Sequence, residues 1–407
     1  MSFSQGLSGL NAAAKALDVV GNNIANSQTS GFKSGSIAFA DIFAGSVGLG
    51  VQVAGVSQNF TDGGLNFTGR NLDIGIQGKG FFRMQNEGGG VYYGRNGQFD
   101  LDASGNIINK TNGLFLTGYQ ATGTPPAIQP GAPVGPIQIP TGDMPPAAST
   151  SGSLSGNLKA DDTNIPTKAF DHKDPDTYNY TSQVEAFDSL GNKHTIKMYF
   201  VQTKEGEWSA YARNETSPEL DGAGVEIPPV EFPLTFDPNG KIDMANTKIN
   251  VKGASFNGAN PLSIDLDISD ITKYSGDSSM KLKEIDGQAP GKYQTFIVGD
   301  NGEVVATYSN GKRQTVAQIV LADFANSGGL AAQGNNLWGE TPQSGQPFLG
   351  TSGSGSFGTV TGSSLESSNV DMGQEMVNMI VYQRNYQSNS QTIKTQSELL
   401  QTLVNLR

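Results

Sequence analysis

Few residues of this chain have types and spacings that could do chemistry. Gly353-Ser354-Gly355-Ser356-Phe357-Gly358 has the letters of a G-x-G-x-x-G dinucleotide loop. That loop works only between a strand and the helix whose N-terminus receives the pyrophosphate. The neighbours here are Gly, Ser and Thr, the composition of a flexible linker. The glycines at 75, 78 and 80 sit between strand-like residues and lack the Lys-Ser/Thr of a phosphate loop, so they predict a tight turn. His172 and His194 are the only histidines, and neither has a second ligand at metal spacing. Surface or hairpin positions are expected for both. No nucleophile-elbow pattern is present to complete a Ser-His-Asp triad. Asp265, Asp267 and Asp270 alternate like a solvated strand face and lack the glycine and distant Glu of an EF-hand. Asn59-Phe60-Thr61 and Asn66-Phe67-Thr68 match a glycosylation sequon, a pattern common by chance. No cofactor, metal or catalytic residue is assigned, and the chain reads as a non-enzyme.

The stronger pattern is structural. Phe3, Leu7, Leu10, Ala14, Leu17 and Ile24 follow a 3/4 spacing, and so do Met372, Met376, Met379, Tyr386, Ile393, Leu400 and Val404. Each set puts its apolar groups on one helix face. The predicted helices cover about residues 3–26 and 370–405, with capping boxes at Ser2/Gln5 and Ser368/Asp371. Almost everything between them is β-like. Two helices at opposite ends, with no third to complete a bundle, point to assembly on each other and on copies of the same chain. Such helices are marginal in isolation, so frayed ends are expected in a free monomer. The polar side of the last helix, with Gln387 and Gln391 among eleven uncharged residues between 383 and 397, suits neighbours or a channel lining.

Between the helices, residues 36–70 read as Gly-rich and irregular, with short β-like pieces such as Val51-Gln52-Val53-Ala54. Asn96-Gly97, Asn112-Gly113, Asn239-Gly240, Asn301-Gly302 and Asn310-Gly311 mark tight turns, the first two as two-residue hairpins. Residues 121–148 are a Pro/Gly-rich connector, and 188–192 read as a hairpin loop between strands. The order helix, β, linker, β, β, linker, helix suggests nested, discontinuous β domains on a coiled-coil-like helical base. The expected division is 1–30 with 365–407 as terminal helices, 31–71 with 351–364 as a Gly-rich connecting segment, 72–144 with 287–350 as an inner β domain, and 145–286 as an outer one. Flexible joints of this kind would hold the helices away from any β core.

Composition narrows the partners. A net charge of −12 over 407 residues disfavours nucleic acid and anionic membranes. Glycine, 53 of those residues, is roughly twice its usual ~7% share, as many turns require. With no cysteine there is no disulfide and no thiolate chemistry. The N-terminus lacks the features of a cleaved signal peptide, and no apolar run reaches the ~20 residues of a membrane helix.

Several motifs resemble the bacterial flagellar rod and hook family of axial proteins. They are Ser8-Gly9-Leu10-Asn11-Ala12-Ala13, Gly21-Asn22-Asn23-Ile24-Ala25-Asn26 and Thr29-Ser30-Gly31-Phe32-Lys33 at the start. In the tail they are Leu365 to Asp371, Glu375-Met376-Val377, Gln383 to Gln387 and Thr392 to Thr395. Thr68 to Asp73, Gly78 to Phe82, Arg95 to Phe99 and Gln318 to Phe324 add inner segments. A single middle domain at about 145–286 fits the hook branch; distal rod proteins, the nearest rival, lack it.

The resemblance implies a flexible, curved tube outside the cell that joins rod to filament as a universal joint and carries the export channel. It implies a homopolymer whose other partners are the distal rod protein, the hook-filament junction protein, the hook cap and the flagellar type III export apparatus. Export would need no cleaved signal, and no membrane insertion is expected. On this reading Leu7, Leu10, Leu17, Ile24, Met376, Met379, Tyr386, Ile393, Leu400 and Val404 pack subunits in an inner tube. Gln387 and Gln391 would face the channel or a neighbour.

Overall fold

The computed structural model describes residues 3–44, 47–123, 126–129, 131–165, 169–204, 207–243 and 247–405. It is mainly β, with one long helix near each end: α1, Phe3–Ala25, and α2, Met372–Asn405. The chain forms two units. One combines Met1–Thr141, Thr295–Ala306 and Arg313–Arg407; the other combines Gly142–Gln294 with Thr307–Lys312.

The first unit contains both helices and the strands most distant in sequence. Residues 36–70, expected to be irregular, instead carry a long antiparallel hairpin, β1 (Gly35–Ala44) with β2 (Val47–Gln58). Alternating Ile37, Phe39 and Val51, Val53 supply the β-branched and aromatic residues that a strand favours. The Gly/Ser-rich stretch at 351–364 is a loop at 352–358 followed by strand. Thr359–Gly362 pairs with Ile74–Gln77, and Ser364–Glu366 pairs with Leu65–Phe67. Backbone pairing offsets the low side-chain content of these stretches, so glycine content misread them as loose.

The main sheet of this unit runs Arg313–Asp323, Phe115–Gln120, Phe81–Gln85, Val91–Gly94, Leu337–Gly339 and Ala331–Gly334 in neighbour order. Its aromatic core joins Phe81, Tyr93, Phe324 and Trp338, with Phe60 packed edge-on against Phe81 at 5.2 Å and Trp338 at 5.3 Å. Asn112-Gly113 does turn a hairpin, within a loop closed by Asn109 N–H donating to Leu114 O at 2.7 Å. Asn96-Gly97 does not. It is a buried crossing whose Gly97 carbonyl accepts from Ile74 N–H at 2.9 Å. The connector is not wholly loose either, because Ile137 and Ile139 are buried; Pro125 and Pro130 lie outside the described residues.

The second unit holds two four-stranded sheets. One orders Lys248–Lys252, Ser263–Tyr274, Ser151–Lys159 and Ser279–Ile285; the other orders Tyr180–Phe187, Lys193–Lys204, Glu207–Asn214 and Glu231–Leu234. Ile264, Leu266 and Ile268 alternate inward while Asp265 faces out, and the core takes Phe200 and Trp208 from the other sheet. The loop at 188–192 is the expected hairpin turn, with Phe187 opposite Lys193.

Candidate assembly surface

α1 begins the surface. Its interior holds Gly6, Gly9 and Gly21, each costing a helix about 1 kcal/mol relative to Ala. Gly6 and Gly9 are explained by α2. A Cβ on Gly9 would lie 2.8 Å from Asn389 Oδ1, and one on Gly6 would lie 3.1 Å from Ile393. Further along, Asn23 Nδ2 donates to Glu375 Oε1 at 3.1 Å. The partner numbers fall as those of α1 rise, so the helices run antiparallel. From about Ser397 onward α2 continues past the described start of α1. The α2 N-cap is Asp371 rather than Ser368: its Oδ1 accepts from Gly373 N–H at 2.9 Å and Gln374 N–H at 3.1 Å. Ser2 lies outside the described residues.

The predicted stripes are not the faces the chain buries. α1 buries Gly6, Ala12, Ala13, Ala16, Val20 and Asn23. Leu10, Leu17 and Ile24 are only half-buried, and Leu7 is 43% exposed. On α2, Met379 and Ile393 are half-buried while Met376, Tyr386 and Leu400 are exposed; the Val404 side chain lies outside the described residues. The large apolar groups were expected to pack between subunits; within the chain, Gly6 faces Ile393 and Gly9 faces Asn389. The Gly-Ala spacing of α1 was the available signal.

The hairpin packs on α1 as well. Gln5 Nε2 donates to Gly48 O at 2.7 Å. Asn23 exchanges two 2.8 Å hydrogen bonds with the Gly35 backbone. Phe39, Phe43, Leu49 and Val56 remain exposed on this hairpin. Gln387 and Gln391 are exposed on α2, as expected, but the face is not uncharged. Arg384, Gln387, Gln391 and Lys394 follow 3/4/3 spacing, and neither cation forms an ion pair among the described residues.

Where the chain enters and leaves the helix pair, a buried ionic cluster sits against the sheet. Glu366 accepts from Lys33 Nζ at 2.6 Å through Oε1 and from Arg95 Nη1 at 3.1 Å through Oε2, with all three side chains at most 2% exposed. Lys33 also donates to Thr61 O at 2.6 Å, Arg95 to Gly78 O at 2.7 Å, and Gly63 N–H to Glu366 Oε1 at 3.0 Å. Asp62, 40% exposed, lies 3.4 Å from Arg95. Burial, then the nearby Arg95 charge, pulls the Lys33 ammonium below its usual pKa. These residues belong to separate motifs up to 333 positions apart, and nothing local in the sequence pairs them.

The other candidate chemistry dissolves. Gly353 to Gly358 forms a loop between strands Phe348–Thr351 and Thr359–Gly362, closed by Gly353 N–H donating to Gly358 O at 3.0 Å. No helix follows to hold a pyrophosphate. His194 is buried, not on the surface: Nε2 meets Asp188 at 3.2 Å and Nδ1 meets Asn214, so no serine completes a triad. His172 Nε2 accepts from Arg213 at 2.8 Å; burial, then Arg213, lowers its pKa. Asp265 bonds Asn250 at 2.6 Å and Asp270 bonds Lys283 at 2.7 Å. No group of His, Asp and Glu among the described residues is placed to hold a metal, and no described helix is long and apolar enough to cross a membrane.

The helix pair leaves several large apolar side chains, Leu7, Met376 and Leu400 among them, in solvent. The chain is 48% identical to the flagellar hook protein FlgE of Salmonella typhimurium over the full length of both chains. It belongs to the flagellar hook protein FlgE family. The Escherichia coli K12 member is 47% identical, again over both full lengths, and that of Treponema pallidum is 30% identical over the whole of this chain and 99% of its own. Family descriptions tile the sequence: flagella basal body rod protein at 5–33, FlgE/F/G D1 domain at 75–160, FlaE D2 domain at 157–288 and FlgEFG C-terminal at 361–406. The crystal structure of Helicobacter pylori flagellar hook protein FlgE2 shares the fold, with a TM-score of 0.53 at 18% identity over 74% of this chain and all of that one. Members of the FlgE family are structural hook subunits, not enzymes, and the family places this chain in the hook of the bacterial flagellum.

Proposed function

We propose that copies of this chain polymerise through α1 and α2 into a curved, flexible tube, a universal joint between rod and filament with the export channel along its axis. The helices form a coiled-coil-like base of 1–30 with 365–407, from which nested β domains arise: 72–144 with 287–350, interrupted by 145–286. Leu7, Leu10, Leu17, Ile24, Met376, Met379, Tyr386, Ile393, Leu400 and Val404 pack between subunits. Gln387 and Gln391 face the channel or a neighbour, in company with Arg384 and Lys394. The subunit is extracellular and leaves the cell through the type III apparatus without a cleaved signal. It grows under the hook cap and meets the distal rod protein at one end and the junction protein at the other.

One observation carries this reading. The helix pair buries small residues of α1 and leaves Leu7, Met376 and Leu400 at 43%, 54% and 51% exposure. Exposed apolar groups concentrated on one element mark a docking surface, and the family supplies an identical chain as its occupant. Electron microscopy of the purified full chain tests it. Curved tubes are expected from the parent chain, and none from Leu7→Ser/Met376→Ser/Leu400→Ser with circular dichroism otherwise unchanged. Straight tubes would favour a rod-like role, and tubes from the triple variant would remove the helices from the interface.

A further inference from the structure

We infer that the Lys33–Glu366–Arg95 cluster, with Asp62 at its edge, is a rigid weld between the joint of the terminal helices and the inner β sheet. The Gly-rich joint is then not the place where the subunit flexes.

Four observations converge on the same few residues. The cluster ties both passages of the chain, at Lys33 and at Glu366, to Arg95, which directly follows the sheet strand Val91–Gly94 and whose second nitrogen holds the Gly78 carbonyl. Glu366 also accepts Gly31 N–H through its main-chain oxygen at 2.8 Å. Gly31 itself has φ +68°, and any side chain there would collide with the Arg95 carbonyl, so this turn lies flush on the backbone that follows strand Val91–Gly94. The stretch after β2 is pinned independently: Trp338 Nε1 donates to Gln58 Oε1 at 2.6 Å and Phe60 enters the aromatic core. Finally, Asn369 Nδ2 donates to Asn59 O at 2.8 Å while its Oδ1 accepts Ser34 N–H at 2.8 Å, closing the two passages on each other.

Such a joint resists hinge motion for an electrostatic reason. Two buried cations share one fully buried anion, so any opening that withdraws Glu366 leaves both in a desolvated site with only the part-exposed Asp62 carboxylate nearby. Loop joints yield because their polar groups exchange protein partners for water at little cost. Here the exchange must admit water to three charges at once. The joint's residues 31–33, 61–63 and 365–367 therefore move with the sheet, and any pivot of α1 and α2 lies beyond them toward the helices. The consequence for tube bending rests on the proposed function. The weld itself does not, and the test below reads it in the free subunit.

Hydrogen exchange by mass spectrometry on the full-length chain measures it. In the parent, peptides covering 29–33, 61–64 and 365–368 should exchange as slowly as the sheet strand Arg313–Asp323. Glu366→Gln should accelerate them at least about 100-fold and leave strand Lys193–Lys204 unchanged. Lys33→Met should accelerate them about tenfold or less, because it leaves Arg95 and Glu366 as a balanced pair. Adding Lys33→Met to Glu366→Gln should recover part of the lost protection. The inference is overturned if the parent's joint exchanges like an open loop, if Glu366→Gln changes it less than threefold, or if Lys33→Met is as damaging as Glu366→Gln. Should Glu366→Gln unfold the first unit outright, the ranking of Lys33→Met against the parent and the parent's own protection still decide the question.

Discussion

The β unit of Gly142–Gln294 and the helix pair treat hydrophobic groups in opposite ways. In the β unit, Phe200, Trp208, Ile264 and Leu266 are essentially inaccessible, and the charged groups of the same strands face out. In the helix pair, Gly and Ala are buried while Leu7, Met376, Tyr386 and Leu400 stay in solvent. A folded monomer satisfies the first region and leaves the second incomplete. Substitutions should therefore separate them: stability should fail first in one, and assembly in the other.

The largest expected effect is in the sandwich. Phe200→Ala removes a fully buried ring and should destabilise the unit by about 3–5 kcal/mol, as large-to-small core changes do. Met376→Ala, at 54% exposure, should stay within about 0.5 kcal/mol of the parent by chemical denaturation while it weakens polymerisation. A Met376→Ala chain that unfolds early would place that side chain in a monomer core and erase the contrast between the regions.

A smaller effect sharpens the contrast within α1 itself. Gly9 faces Asn389, whereas Gly21 has nothing within 4 Å of where its Cβ would stand. Gly9→Leu must push the helices apart and should cost about 1–3 kcal/mol of their pairing. Gly21→Ala should stabilise α1 by up to about 1 kcal/mol through propensity alone. Helicity followed by circular dichroism on heating should move in opposite directions for the two. Equal behaviour would mean the small residues are not the intramolecular contact.

The same contrast explains what was legible in the sequence. Periodicity placed both helices to within about two residues of their ends, and β propensity with turn chemistry recovered the strands at 183–187 and 195–201. These are local signals. The face that α1 buries within the chain was not legible, because helical periodicity ranks side chains by size and apolarity. Close helix approach selects the opposite. The hairpin at 35–58 was legible only as the β-like piece at 51–54, and the strands at 359–366 not at all, because glycine weakens local propensity, while pairing partners as remote as Leu65 with Glu366 restore order. The ionic cluster was illegible for the same reason at greater range. Lys33, Arg95 and Glu366 each look like ordinary surface charges in their own segments. Only the fold makes them one group.

The smallest effect is a pH slope, and it tests whether that cluster sets the joint apart from both other regions. The unfolded chain's Lys33 titrates near 10.5, and the folded value is lower, chiefly because the ammonium is desolvated and then because Arg95 is close. Between the two values the unfolded chain holds a proton that the native chain has released. Stability therefore rises with pH across that window, and the gain is lost again as pH falls through the folded value. Tyr93, pushed up to about 12, acts oppositely above pH 10 because its native form keeps the proton longer. Subtracting the Lys33→Met profile from the parent profile cancels Tyr93 and every other shared group. The difference should climb between the lowered folded value and 10.5 and then flatten. A flat difference would mean that Lys33 is already hydrated in the native chain, and the joint would then be no more buried than the open faces of α1 and α2.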